Sequence, residues 1–183
     1  MANLTRRNGL LRQLARRIHA ADVKVFRAVS RLRREPLTPV MRAFTVAGTA
    51  GALWGLVAAV GFVLGGFQWA QLLVPWAAIA GSWILAEASK YAFNRARPHA
   101  SDLQIAPLVK TPSSSSFPSG HSATAAAGAI SLSAAYPALT PAFAVCALAV
   151  MFSRAYLGVH YPSDIIAGAA IGVVVSGALA WML

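Results

Sequence analysis

The stretch AFTVAGTAGALWGLVAAVGFVLGGFQWAQLLVPWAAIAGSWILA, Ala43 to Ala86, contains no Asp, Glu, Lys or Arg. A helix crossing a bilayer needs about 20 apolar residues, so this run holds two such helices. Gly65-Gly66 supplies the turn between them. The first is expected at Thr49–Gly66 and the second at Trp69–Phe93. Ser122 to Ser153 is again free of charge, and Tyr136-Pro137 divides it into helices at Ser119–Ala135 and Leu139–Ala155. Pro162 can open a last helix, Ser163–Leu183. The fold expected is therefore all-α, an integral membrane helical bundle with about five transmembrane helices. Composition agrees, with 57% of residues hydrophobic and 11% charged, against about 25% charged in soluble domains.

The formal charge of +11 is concentrated at the front. Residues 1–48 hold eleven of the 16 Lys and Arg: Arg6, Arg7, Arg12, Arg16, Arg17, Lys24, Arg27, Arg31, Arg33, Arg34 and Arg42. Only Asp22 and Glu35 oppose them. Leu10, Leu11, Leu14 and Ile18 recur at helical spacing, as do Val25, Phe26, Val29 and Leu32. This is the pattern of a basic amphipathic segment on anionic lipid, with an interfacial helix around residues 22–34. No aromatic interleaving or recognised motif supports nucleic-acid binding. The chain thus divides into a basic interfacial segment, 1–48, and a membrane-embedded domain, 49–183. The lone Cys146 sits in an apolar run and reads as packing. The N-terminus lacks the short apolar stretch of a cleavable signal.

Against this apolar background three segments carry ionisable groups. They are Lys90-Tyr-Ala-Phe-Asn-Arg-Ala-Arg97-Pro98, Pro118-Ser119-Gly120-His121 and Ser153-Arg154-Ala-Tyr-Leu-Gly-Val-His160-Tyr-Pro-Ser-Asp164. Ionisable groups at a membrane edge are costly and mark function. Arg grips two oxygens of a phosphate in one plane and Lys adds a point charge. Lys90 and Arg97 stand seven residues apart, which on a helix stopped by Pro98 puts them on one face. Ser119 sits where a loop becomes a helix, so it can cap that helix or donate to phosphate. Gly120 lets a ligand approach the backbone. A carboxylate at Asp164 can fix the tautomer of His160 and leave its other nitrogen free to attack. A metal site built on His121, His160 and Asp164 is the rival, but three nearby cations would repel a divalent ion.

These segments resemble the three signature motifs of the type 2 phosphatidic acid phosphatase superfamily. That pattern is Lys, six residues, Arg-Pro; Pro-Ser-Gly-His; and Ser-Arg, five residues, His, three residues, Asp. All eleven fixed positions are present, and the resemblance covers roughly residues 49–183. It implies a hydrolase of phosphoric esters with no metal and no cofactor. It also implies His160 as nucleophile forming a phosphohistidine, Asp164 orienting it, and His121 protonating the leaving oxygen and later activating water. Lys90, Arg97, Ser119, Gly120 and Arg154 would hold the phosphoryl charge. In size the chain is similar to the decaprenylphosphoryl-5-phosphoribose phosphatases of that superfamily.

The partner implied is a lipid phosphate in the membrane, polyprenyl-linked or a glycerolipid. The basic arm keeps the N-terminus inside. Two crossings then return Lys90 to the cytoplasmic face of a bacterial plasma membrane, and the other two motifs follow. The alternatives are an undecaprenyl-diphosphate phosphatase with an extracytoplasmic site, a vanadate-dependent haloperoxidase-like enzyme, and a non-catalytic lipid-binding membrane protein. Glu87, one turn before Lys90, can balance the cations. Trp69, Trp76 and Trp83 share one helix face suited to packing or lipid contact, and Ser113–Ser116 reads as a flexible loop.

Overall fold

The structure is a computed structural model, and it describes residues 2–66, 68–101 and 105–182. Helix α1 is Ala2–Ser30, α2 is Leu37–Ala47, α3 is Ala52–Leu64 and α4 is Trp69–Ser89. Helix α5 is Gly120–Ala135, α6 is Thr140–Tyr156 and α7 is Pro162–Met182. No strand occurs among the described residues, so the all-α expectation holds. The side chains of Arg6, Arg7 and Leu11, and Leu183 at the chain's end, lie outside the described residues.

Helix α5 is the centre, flanked by α4, α6 and α7. Its sequence, GHSATAAAGAISLSAA, is small almost throughout, and eleven of its residues are buried. Between membrane helices, close van der Waals packing of small residues provides much of the association energy. A methyl group at Gly172 would stand 2.4 Å from the Ala123 carbonyl oxygen, and one at Gly168 2.2 Å from that of Ser119. Glycine is therefore required where α7 crosses the start of α5. On another side, Trp54 of α3 lies across Gly128. Trp54, Ala58, Ile79, Leu132, Phe143 and Val150 form the main apolar core.

Helices α4 and α7, and the stretch Pro137–Tyr156 containing α6, are long and apolar enough to cross a membrane. Leu37–Ala47 and Thr49–Leu64 pass the same test as a pair, bent by 53°. By length and composition the described residues thus give three spans, or four with the bent pair. Helix α5, which is not among them, has 16 residues. At about 1.5 Å per residue it falls short of a hydrocarbon core of about 30 Å. The helix expected at Thr49–Gly66 is shortened at its start because Ala50 and Gly51 take positive φ. That turn brings Gly51 against Ile79, where a side chain would not fit.

Helix α4 departs from expectation at its end. It stops at Ser89, and the chain is extended by Arg97, at φ −75° and ψ 159°. The residue before a proline is pushed out of the helical region, which favours this course. Lys90 and Arg97 therefore do not share a helix face. Helix α1 also differs from the helix expected at 22–34: it runs to Ser30. Leu10, Leu14, Ile18 and Val25 are exposed along it, while Phe26 turns inward and is fully buried against Tyr161.

Candidate active site

The three motif segments meet at one end of the bundle. Arg97, 4% exposed, cannot sit in apolar surroundings without acceptors. Its Nε donates to the Ser114 carbonyl at 3.0 Å, Nη2 to that of Ser115 at 3.2 Å and Nη1 to that of Val159 at 3.1 Å. Burial pushes Arg97 below its ordinary pKa, while Asp164 and Glu87 act the other way. A guanidinium keeps its charge in such a setting.

His160 lies in the link between α6 and α7, 3% exposed. The left-handed turn at Gly158, φ 86°, sends the chain back toward the bundle just before it. His160 Nδ1 is 2.8 Å from the Ser116 carbonyl and 3.6 Å from Asp164 Oδ2. A carbonyl only accepts, so Nδ1 carries the proton and Nε2 presents its lone pair. That nitrogen is 3.5 Å from Arg97 Nη1. Asp164 was expected to fix the tautomer; the shorter contact is to Ser116, and Asp164 adds charge beside it. Burial above all pushes the imidazole down to about 4; Arg154 and Arg97 add to this, and Asp164 opposes it. His160 is thus a neutral base at neutral pH.

Asp164 stands in the first turn of α7, fully buried. Its Oδ2 accepts from the Tyr161 N–H at 2.8 Å and its Oδ1 from Arg95 Nη1 at 2.6 Å. Ser119 caps α5, its Oγ accepting from the Ser122 N–H and from the Ser122 hydroxyl at 3.0 Å. Its own hydroxyl proton remains for another acceptor. Gly120 follows, with room beside it for Glu87, whose carboxylate pairs with Lys90. His121 Nε2 is 3.2 Å from the Thr45 carbonyl, and Lys90, Arg154 and His160 lie within electrostatic reach of it. Arg154, 5% exposed, donates through Nη1 to Thr45 Oγ1 at 2.8 Å. Its buried Nε–H has no partner. Among the described residues no three His, Cys, Asp or Glu side chains are grouped to hold a metal ion.

All eight candidate residues thus gather around one end of α5. Sequence reasoning missed five others: Thr45, which ties Arg154 and His121 to α2; Ser116; Arg95; Ser163; and Asp22. Arg95 bridges Asp164 to Asp22 on α1, with Nη2 2.6 Å from Asp22 Oδ2. Asp22 was visible as the lone acid among ten basic residues in positions 1–34. The Ser113–Ser116 segment is a framework rather than a loose loop, because its carbonyls hold Arg97 and His160. His99 turns to Thr111, 3.3 Å away, and His19 rests edge-on against Tyr161. Trp69 meets Phe62 and Trp76 donates to the Gly55 carbonyl, so the tryptophan face packs while staying exposed.

Residues 71–183 match the family model described as PAP2 superfamily. The chain is similar to a lipid A 1-phosphatase of Rhizobium johnstonii, 41% identical over 95 residues, covering 50% of this chain and 39% of that one. It is similar to a decaprenylphosphoryl-5-phosphoribose phosphatase of Mycolicibacterium smegmatis, 38% identical over 95 residues, covering 51% and 52%. Each match takes in about half of the curated relative's length or less. The fold is similar to the crystal structure of a transmembrane PAP2 type phosphatidylglycerolphosphate phosphatase from Bacillus subtilis. The TM-score there is 0.74 at 29% identity, covering 90% of this chain and 85% of that one.

The setting of His160 makes a direct prediction. Its imidazole, followed by ¹⁵N NMR in detergent micelles and assigned with His160→Gln, should stay neutral until the pH nears 4. In Asp164→Asn the midpoint should fall further, because Asp164 is the group holding it up. A midpoint near the ordinary 6.5 would contradict the buried, cation-flanked setting.

Proposed function

The chain belongs to the PAP2 superfamily, and on that premise we propose that it is a metal-independent lipid phosphate phosphatase acting through a phosphohistidine on His160. The observation that carries this reading is a neutral His160 whose Nε2 lone pair faces the Arg97 guanidinium, accepting a long bond from Nη1 at 3.5 Å. Arg97, Arg154 and Lys90 make a cradle for a phosphate dianion, and the unpartnered Nε–H of Arg154 is a donor such an anion would satisfy.

In the first step His160 Nε2 forms a bond to phosphorus while the bond from phosphorus to the lipid oxygen breaks. His121, protonated once the phosphate dianion lies beside it, gives a proton to that oxygen. The ring of His160 gains positive charge, which Asp164 and the Ser116 carbonyl stabilise. In the second step His121 takes a proton from water, whose oxygen displaces Nε2 and releases phosphate. The cations and the Ser119 hydroxyl hold the charge of the phosphoryl group throughout.

A lipid substrate is supported by the apolar helices and by an apolar groove of about 370 Å³ between α3 and α4. Gly55, Leu56, Trp76, Ile79 and Trp83 line it. Trp83, in one wall of the groove, also lies beside Gly120, so the groove is placed next to the site and suits a substrate chain. The named relatives act on different headgroups that share a phosphate on a lipid. We assign this chain a polyprenyl-linked or glycerolipid phosphate. The basic face of α1, beside exposed Leu10, Leu14 and Ile18, fits an anionic lipid surface.

The test is phosphate release by purified protein from a panel of lipid phosphates in excess EDTA. Turnover should survive the chelator. His160→Ala should lose roughly a thousandfold or more and His121→Ala about a hundredfold, both still folded. Near-normal release by folded His160→Ala would sink the mechanism, and loss restored by one divalent ion would revive a metal site.

The site is proposed to face the cytoplasm. Counting the bent pair as one crossing leaves two crossings before Lys90, and the basic arm holds the N-terminus inside. In a Cys146→Ala background, an impermeant thiol reagent on intact cells should label Gln68→Cys and spare Ser113→Cys. The opposite pattern would move the site outside and make undecaprenyl diphosphate the leading substrate.

A further inference from the structure

We propose that Asp22 and Arg95 are positioning residues, and that α1 supplies a second carboxylate which keeps the charge of Asp164 available to His160. The inference rests on His160 being the nucleophile. Arg95 lies between two carboxylates, Nη1 2.6 Å from Asp164 Oδ1 and Nη2 2.6 Å from Asp22 Oδ2. One cation and two anions leave the trio with a net charge of −1. Were Arg95 paired with Asp164 alone, the pair would be neutral, and little of its field would remain for the imidazole. His160 also faces Arg97 and Arg154, whose charges oppose a positive ring. The excess negative charge that offsets them comes from a helix outside the motif segments.

Asp22 is placed for this with care that a surface acid lacks. It is 4% exposed on a helix otherwise crowded with exposed Arg and Lys. Buried carboxylates persist only where paired and hydrogen-bonded. Asp22 Oδ1 accepts from the Ser163 N–H at 2.8 Å, and Oδ2 from the Ser163 hydroxyl at 2.6 Å. Ser163 is in the first turn of α7, where N–H groups have no partner within the helix. Asp22 thus caps α7 across 141 residues of sequence, one residue before Asp164. Arg95 donates to the same Ser163 hydroxyl and stacks over Tyr161, 4.4 Å from the ring centroid. Phe26, one turn beyond Asp22, packs on that same ring. The contact therefore sets both where Asp164 stands and how much charge it presents.

The test asks whether Asp22 acts on turnover, and whether it does so through Arg95. Asn accepts from a helix N-terminus as well as Asp does, so Asp22→Asn keeps the bond to the Ser163 N–H and removes the charge together with the acceptor that faces Arg95 and the Ser163 hydroxyl. In the full chain, reconstituted in vesicles with the best lipid phosphate of the panel, kcat should fall more than about fivefold. KM should stay within about twofold, because the phosphate-binding cations are untouched. In an Arg95→Gln background the same change should alter kcat less than about twofold, since its route is gone. A smaller fall in kcat, a KM that rises as much as kcat falls, or equal factors in both backgrounds would each overturn the proposal. If Arg95→Gln does not fold, the kcat and KM of Asp22→Asn decide alone. The underlying reading fails separately, by turnover in His160→Ala.

Discussion

A guanidinium buried at the edge of an apolar bundle must find acceptors, and Arg97 finds them in three backbone carbonyls. Those of Ser114 and Ser115 fix the loop before α5, and that of Val159 fixes the link before His160. One side chain thereby ties its own motif segment to the segment that holds His160 and to the serine loop that leads into the third. The next carbonyl along, Ser116, holds His160. Because these acceptors are neutral, they leave the Arg97 charge uncancelled. A carboxylate in their place would bind Arg97 more tightly but spend its charge inside the protein. The arrangement suits a site that must keep positive charge for an incoming anion.

The bundle serves that site through size. Small residues on α5 let α4, α6 and α7 close around it, and Gly168 lets α7 touch the backbone of Ser119. The N-terminus of α5 and the first turn of α7 are thus brought together, with Ser119 N–H donating to the Asp164 carbonyl at 3.0 Å. The cap of one helix and the carboxylate of the other become parts of one rigid corner. Packing here decides electrostatics, since each polar group is held within a few ångströms of its partner in surroundings that screen charge poorly.

Much of this was legible in the sequence. Runs without charge gave the helices, and Gly65-Gly66, Tyr136-Pro137 and Pro162 marked their limits to within a few residues. Side chains at motif spacing identified all eight residues that gather at the site. What stayed hidden shares one property: it depends on backbone groups or on distance along the chain. The carbonyls of Ser114, Ser115 and Ser116 carry no side-chain signal. Asp22 and Asp164 are far apart in sequence, and only the fold brings Arg95 between them. The helical face assigned to Lys90 and Arg97 failed because spacing of seven means a shared face only while the helix lasts, and this one ends at Ser89. The break at Ala50 and Gly51 was likewise invisible, since apolar composition does not report backbone dihedrals.

The central claim is that the phosphoryl group passes through His160. The most direct measurement is rapid alkaline quenching of the protein during turnover of a ³²P-labelled lipid phosphate, followed by peptide mapping. Alkali preserves phosphohistidine, and the account predicts label on the peptide containing His160, formed and lost at rates that match turnover. Label on His121 with His160 unmodified, or turnover with no covalent phosphate at any quench time, would contradict it.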